Sequence, residues 1–131
     1  MILVDTSVWI DYFRGLRSPV TDELDRLLGA DDVLMGDIIL TELLQGFTDD
    51  RAFRLAQTRL DALTMIEIGG RDIAVEAAQN YRRLRGFGVT VRKTIDTLIA
   101  TRCLVSGHSL LYSDRDFDPF VEHLGLQTAN P

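Results

Sequence analysis

Met1-Ile2-Leu3-Val4-Asp5-Thr6-Ser7-Val8-Trp9-Ile10-Asp11 opens the chain. Ile2-Leu3-Val4 is a short apolar run, which reads as a strand buried on both faces. The polar pair Thr6-Ser7 then supplies a helix cap, and Val8, Trp9, Tyr12 and Phe13 recur at helical spacing behind it. Strand followed directly by helix is half of a parallel crossover unit, and the same grammar repeats downstream. Ser18-Pro19 starts a helix running to about Gly29, with Asp22 and Glu23 in its first turn. Val33-Leu34-Met35 is a second strand, followed by a helix from Ile38 to Gln45 and another from Asp49 to Ala62. Met65 to Ile68 is a third strand, with a helix from Arg71 to Arg85 and one from Thr94, as its cap, to Ser106. Leu110-Leu111-Tyr112 is a fourth strand, Asp118 to Leu124 a short helix, and Leu126-Gln127-Thr128 a last edge strand. Short apolar strands alternating with helices predict a three-layer α/β/α sandwich around a short, mostly parallel sheet.

Composition sets bounds on this reading. With 131 residues, 46% of them hydrophobic and 26% charged, the chain is expected to form one globular domain over residues 1–131. A single cysteine, Cys103, excludes an internal disulfide and a thiolate zinc centre, and two histidines leave little for a His-rich metal site. No apolar run reaches the roughly 18 residues of a membrane span, and the N-terminus lacks the basic segment of a secretory leader. A cytoplasmic location is therefore expected.

The net charge is −6, which on its own argues against nucleic-acid binding. Its distribution argues otherwise. Residues 80–102 hold Arg82, Arg83, Arg85, Arg92, Lys93 and Arg102 against one acid, Asp96. The remainder carries eight bases against nineteen acids. Such a basic stretch is either a solvated helix face or a surface that meets polyanions.

Several acids stand among apolar neighbours. Asp5 ends the first strand, Glu42 sits within Ile38-Ile39-Leu40-Thr41-Glu42-Leu43-Leu44, and Asp96 within Thr94-Ile95-Asp96-Thr97-Leu98-Ile99-Ala100. Asp114 follows the fourth strand and Asp116 comes two residues later. An ionised carboxylate among aliphatic groups costs several kcal/mol unless something positive or hydrogen-bonding answers it. Helix caps would account for Asp5 and Asp114, and an ion pair with arginine would account for Glu42 or Asp96. The alternative is convergence. Sites in open parallel sheets form at the carboxyl ends of the strands, where Asp5 and Asp114 stand, and Glu42 and Asp96 lie near the starts of their helices. Converging carboxylates with no Cys or His suit a hard divalent cation and phosphoryl chemistry.

At these residues the sequence resembles the PIN-domain family, and within it the VapC-type toxins of bacterial toxin–antitoxin pairs. The resemblance runs along essentially the whole chain: the opening through Asp11 with Asp5, Thr41-Glu42-Leu43-Leu44-Gln45-Gly46 with Glu42, Arg92-Lys93-Thr94-Ile95-Asp96-Thr97 with Asp96, and Ser113-Asp114-Arg115-Asp116-Phe117 with Asp114 and Asp116. It implies a Mg²⁺- or Mn²⁺-dependent endoribonuclease acting on RNA such as tRNA or rRNA. It also implies inhibition by a cognate VapB-like antitoxin, and a homodimer or toxin–antitoxin hetero-oligomer.

Carried onto this chain, the resemblance implies Asp5, Glu42, Asp96 and Asp114 as catalytic residues. The same four with Asp116 would be the metal ligands, Glu42 alternatively orienting the attacking water. Arg92 and Lys93, just before Asp96, are the expected phosphate contacts, with a salt bridge to the acidic body as the other reading. Thr6 is either a cap or a partner of a ligand carboxylate. Asp11, Asp118, His108 and His123 read as surface residues, Cys103 as core, and the Trp9-Tyr12-Phe13 stripe as core or partner surface. Relatives often carry Ser or Thr two residues before the fourth acid, where this chain has Tyr112. Three other readings stand lower. A response-regulator receiver would need an acid beside Asp5 and a lysine late in the chain, where the only lysine is Lys93. An aspartyl-phosphate phosphatase wants a second Asp where Ser7 stands, and a catalytically silent PIN-fold interaction module would have no use for four intact acids.

Overall fold

The computed structural model describes residues 1–131. Four strands, β1 (Ile2–Val4), β2 (Val33–Gly36), β3 (Thr64–Ile66) and β4 (Ser109–Leu111), form one sheet in the order β3-β2-β1-β4. Every pairing is parallel, with Leu3 opposite Leu34 and Leu110, and Met35 opposite Met65. The connections carry α1 (Thr6–Phe13), α2 (Pro19–Gly29), α3 (Asp37–Leu44), α4 (Asp50–Leu60), α5 (Arg71–Gly86) and α6 (Thr94–Ser106). A 3₁₀ turn (Arg115–Phe117) and α7 (Asp118–Leu124) follow β4. The chain steps from β1 outward to β2 and β3, then back past β1 to β4. Right-handed crossovers therefore set α1 to α4 on one face and α5 and α6 on the other. Accordingly α1 packs on α2 and α3, α3 on α4, and α5 on α6 and α7. The expected α/β/α sandwich is what forms, with a wholly parallel sheet.

The central strands are buried because both faces are covered: Leu3, Val4, Met35, Leu110 and Leu111 are fully enclosed with Trp9, Leu24, Ile39, Ile99, Phe117 and Phe120. Cys103 belongs to this core, where burial pushes its thiol up to about 12. Between α5 and α6 the buried Asn80 donates to Thr101 Oγ1 at 3.0 Å, so the pair of helices is held by a polar contact as well as apolar packing. No helix is long and apolar enough to cross a membrane.

Four local expectations need correction. The cap of α1 is Asp5 rather than Thr6 or Ser7; its side chain accepts from the Ser7 amide, and the helix starts at Thr6. Thr94 lies inside α6, whose cap position is Lys93, with no side chain bonded to the first amides. The third strand is shifted to Thr64–Ile66 because Asp37 Oδ1 accepts from the Ile68 amide at 2.9 Å and takes that residue out of the ladder. Ile68 instead packs on Gly36, where a Cβ would stand 2.6 Å from its Cδ1. The last segment makes one parallel bridge, Leu110 to Thr128, rather than a strand. Asn130 clips it down, accepting from the Tyr112 amide and donating to its carbonyl, both at 3.0 Å.

Candidate active site

The parallel sheet brings the carboxyl ends of β1 and β4 to one rim, and the residues just past them define a cleft of about 500 Å³. Asp5, Thr6, Ser7, Glu42, Lys93, Asp96 and Asp114 line it. Asp5 follows β1 directly, so the tight strand-to-helix turn that it caps also aims its carboxylate at the rim. Glu42 stands five residues past the first residue of α3, beyond the first turn, and reaches back far enough for Thr6 Oγ1 to donate to its Oε1 at 2.7 Å. Asp96 is the third residue of α6, a helix that enters β4 at its far end and so starts at the rim. Asp114 follows β4 and caps the 3₁₀ turn, its Oδ1 accepting from the Asp116 amide at 2.9 Å.

The electrostatics are strained. Asp5 is only 5% exposed, and its desolvation raises its pKa, against the Ser7 hydroxyl, which donates to Oδ2 at 2.7 Å. Asp96 is 7% exposed, and desolvation together with the neighbouring Asp5 charge lifts its pKa to about 6. Its Oδ2 is buried and has no hydrogen-bond partner. Asp114 is pulled upward by burial, but the Asp116 amide and the Lys93 ammonium outweigh this and hold it below the usual carboxylate range. Lys93 Nζ donates to Asp114 Oδ2 at 3.2 Å, and the Arg92 guanidinium forks onto both oxygens of Asp116 at 3.0 and 3.2 Å.

These features test the fit of a cation. Carboxylate oxygens of Asp96, Asp114 and Asp116 lie within 4.8 Å of one another, and Asp5 and Glu42 share the cleft with the first two. The donors are all oxygen, which matches a hard divalent ion. A buried carboxylate oxygen with no partner is costly unless a cation answers it. The residues fit.

Comparison with known proteins places the family. The PIN-domain model matches residues 2–121. Ribonuclease VapC11 of Mycobacterium tuberculosis is 34% identical over 132 aligned positions, covering 99% of this chain and 98% of that protein. VapC ribonuclease Mb1587 of Mycobacterium bovis is similar to the same degree. The chain is a VapC-type member of the PIN-domain family. At the level of fold, this PIN domain superposes with a TM-score of 0.74 on the VapBC2 structure of Rickettsia felis. The identity is 18%, over 99% of this chain and 98% of that one. For FitAcB of Neisseria gonorrhoeae the TM-score is 0.71 at 23% identity, over 100% of this chain and 98% of that one.

Within this PIN domain the sequence reading missed some contacts and misplaced others. Ser7 was readable only as a cap, yet its hydroxyl bonds Asp5; the Asp-x-Ser spacing was the available signal. Asp118, read as solvated, accepts from the Tyr112 hydroxyl at 2.7 Å, so Tyr112 turns towards α7 and offers no hydroxyl to the cleft. The basic stretch divides. Arg102 binds the Ile68 and Gly69 carbonyls, and Arg83 pairs with Glu76 and Asn80. Arg92 and Lys93 pair with the site's own acids, while Arg82 and Arg85 are left on the surface. Trp9 is buried and Phe13 stacks on it with its outer face exposed.

Proposed function

We propose that this PIN domain is an endoribonuclease toxin that hydrolyses phosphodiester bonds of cellular RNA, tRNA and rRNA being the expected classes, with Mg²⁺ or Mn²⁺ at the acidic cleft. The observation that carries this reading is the convergence of Asp5, Glu42, Asp96 and Asp114 on one cleft in which the buried Asp96 carboxylate has an oxygen with no partner. The naming of the similar mycobacterial proteins as ribonucleases supports it.

Asp5, Asp96 and Asp114 are the residues to hold the ion, with Asp116 beside them and Glu42 as a further ligand or as the group that orients water. The bound ion supplies charge neutralisation at the phosphate oxygens and a lowered pKa for water. The protein's own groups do the rest. Ser7 fixes the Asp5 carboxylate, and Thr6 holds Glu42 by Oε1, turning its other oxygen to accept a proton from the attacking water. Water oxygen bonds to phosphorus as the bond to the departing ribose oxygen breaks, and that oxygen leaves taking a proton from solvent. Arg92 and Lys93 stand at the mouth to meet the RNA backbone.

The partner is a cognate VapB-like antitoxin, in keeping with the toxin–antitoxin complexes that share the fold, and a homodimer or hetero-oligomer is the expected assembly. The setting is the cytoplasm, where the RNA is. Incubating total RNA with the protein and with Asp5→Asn and Asp96→Asn, and mapping new ends, tests the activity. Cleavage lost in both variants with folding retained supports it; equal cleavage by all three refutes it. Absence of any cleavage beside unimpaired antitoxin binding would favour the silent interaction module.

A further inference from the structure

A second depression, of about 540 Å³, lies between α5 and α6. Ala74, Ala77, Ala78 and Leu98 give it a small, smooth apolar lining, with Tyr81 as its aromatic wall. Arg82 and Arg85 line it too, and the Arg85 guanidinium lies 5.7 Å from the centre of the Tyr81 ring. Thr97, 3% exposed, also lines the groove, and its hydroxyl has no hydrogen-bond partner in the chain. The depression adjoins the acidic cleft, because Thr94 lines both.

We propose that this groove takes one nucleobase of the RNA strand next to the scissile phosphate, with Arg82 and Arg85 holding the adjoining backbone. The inference rests on the endoribonuclease reading. Single-stranded RNA is gripped by base stacking on aromatic and guanidinium planes beside basic groups that track the phosphates. The groove supplies an aromatic plane, a guanidinium in cation–π contact with it, a second arginine and an apolar slot in one place. Arg92, two residues before the shared Thr94, adds an exposed guanidinium, paired here with Asp116. A second copy of the chain fits less well. Across a two-fold axis the same patch meets itself, so Arg82 and Arg85 would face their own counterparts.

The test fills the slot without touching the acids. Ala78 is exposed on α5, and leucine is nearly as good a helix former, so Ala78→Leu should keep the fold. Asp5→Asn serves as the non-cutting background, since asparagine caps a helix as well as aspartate does. Fluorescence anisotropy then compares a labelled single-stranded RNA of about 12 nucleotides with the matching abasic ribose-phosphate strand.

In the background protein the base-bearing strand should bind about tenfold tighter than the abasic one. Ala78→Leu should erase that preference, leaving the abasic affinity unchanged, and Arg85→Ala should weaken both strands. Equal binding of the base-bearing strand with and without Ala78→Leu would overturn the inference, as would an equal loss for both strands. A sedimentation shift from dimer to monomer with RNA affinity unchanged would assign the groove to a second copy. Displacement of the RNA by a poly-glutamate peptide at matched ionic strength, abolished by Ala78→Leu, would assign it to an acidic protein. A background protein that binds no RNA at all would instead refute the endoribonuclease reading, and the inference with it.

Discussion

The Thr6 hydroxyl donates to Glu42 Oε1 at 2.7 Å, joining the first turn of α1 to the middle of α3 across the acidic cleft. Neither side chain is fully exposed, so the bond fixes one oxygen of the carboxylate and the direction of the other. Thr6→Val removes the donor and keeps the shape. The expected loss in kcat is about tenfold, matching the roughly 1.5 kcal/mol worth of a hydrogen bond to a charged group. Thr6→Ser should restore most of the rate. Steady-state cleavage of a defined RNA, with KM read separately from kcat, checks this; a loss confined to KM would place Thr6 in binding rather than in orienting Glu42.

Lys93 illustrates a competition. Its ammonium sits on Asp114, and Arg92 on Asp116, both carboxylates of the candidate ion site. A bound divalent ion and these bases seek the same oxygens. Lys93→Ala should therefore raise Mn²⁺ affinity about threefold, the scale of an exposed ion pair, while RNA affinity falls. Calorimetry with Mn²⁺ and anisotropy with RNA give the two readouts. A variant with weaker Mn²⁺ binding would show that Lys93 supports the site instead of competing for it.

Stability should depend on pH in a direction that the ion reverses. The Asp96 pKa is raised to about 6, so the folded chain holds a proton between pH 3.8 and 6 that the unfolded chain has released. Stability of the metal-free protein therefore falls as pH rises through that window, by at most about 3 kcal/mol from this group. The raised Asp5 acts in the same direction and the lowered Asp114 in the opposite one. Thermal melts in chelator from pH 4.5 to 7.5 should show the decline. Asp96→Asn should flatten it, and saturating Mn²⁺ should turn it into a rise. A chelated protein that gains stability steadily over this range would contradict the account of Asp96.

Tyr112 should matter for stability alone. Its hydroxyl bonds Asp118, away from the cleft, and burial with that contact raises its pKa to about 12. Tyr112→Phe should cost about 1–2 kcal/mol in denaturant titration and leave RNA cleavage unchanged. Loss of cleavage without loss of stability would place the phenol in the chemistry.

What was legible in the sequence follows from where the information is local. Strands such as Ile2-Leu3-Val4 are continuous apolar runs, and a parallel sheet buried on both faces needs nothing more, so the architecture and the rim bearing Asp5 and Asp114 could be read directly. The shift of β3 was not legible, because it depends on Asp37 capturing the Ile68 amide from 31 residues away. The same holds for the basic stretch. Its six bases look alike along the chain, but tertiary partners divide them into structural bonds at Arg83 and Arg102, pairs with site acids at Arg92 and Lys93, and surface groups at Arg82 and Arg85. Thr6 was readable as a cap or as a carboxylate partner, and only the folded position of Glu42 selects between them.

Side chains from α3, α6 and the ends of β1 and β4 are proposed here to form one site for a divalent cation. Isothermal titration of Mn²⁺ into the wild-type chain, Asp96→Asn and Asp5→Asn measures this most directly. A saturable site in the wild type, lost or weakened at least about tenfold in each folded variant, is the predicted result. Wild-type chain that takes up no Mn²⁺, or variants that bind it as tightly as the wild type, would contradict it.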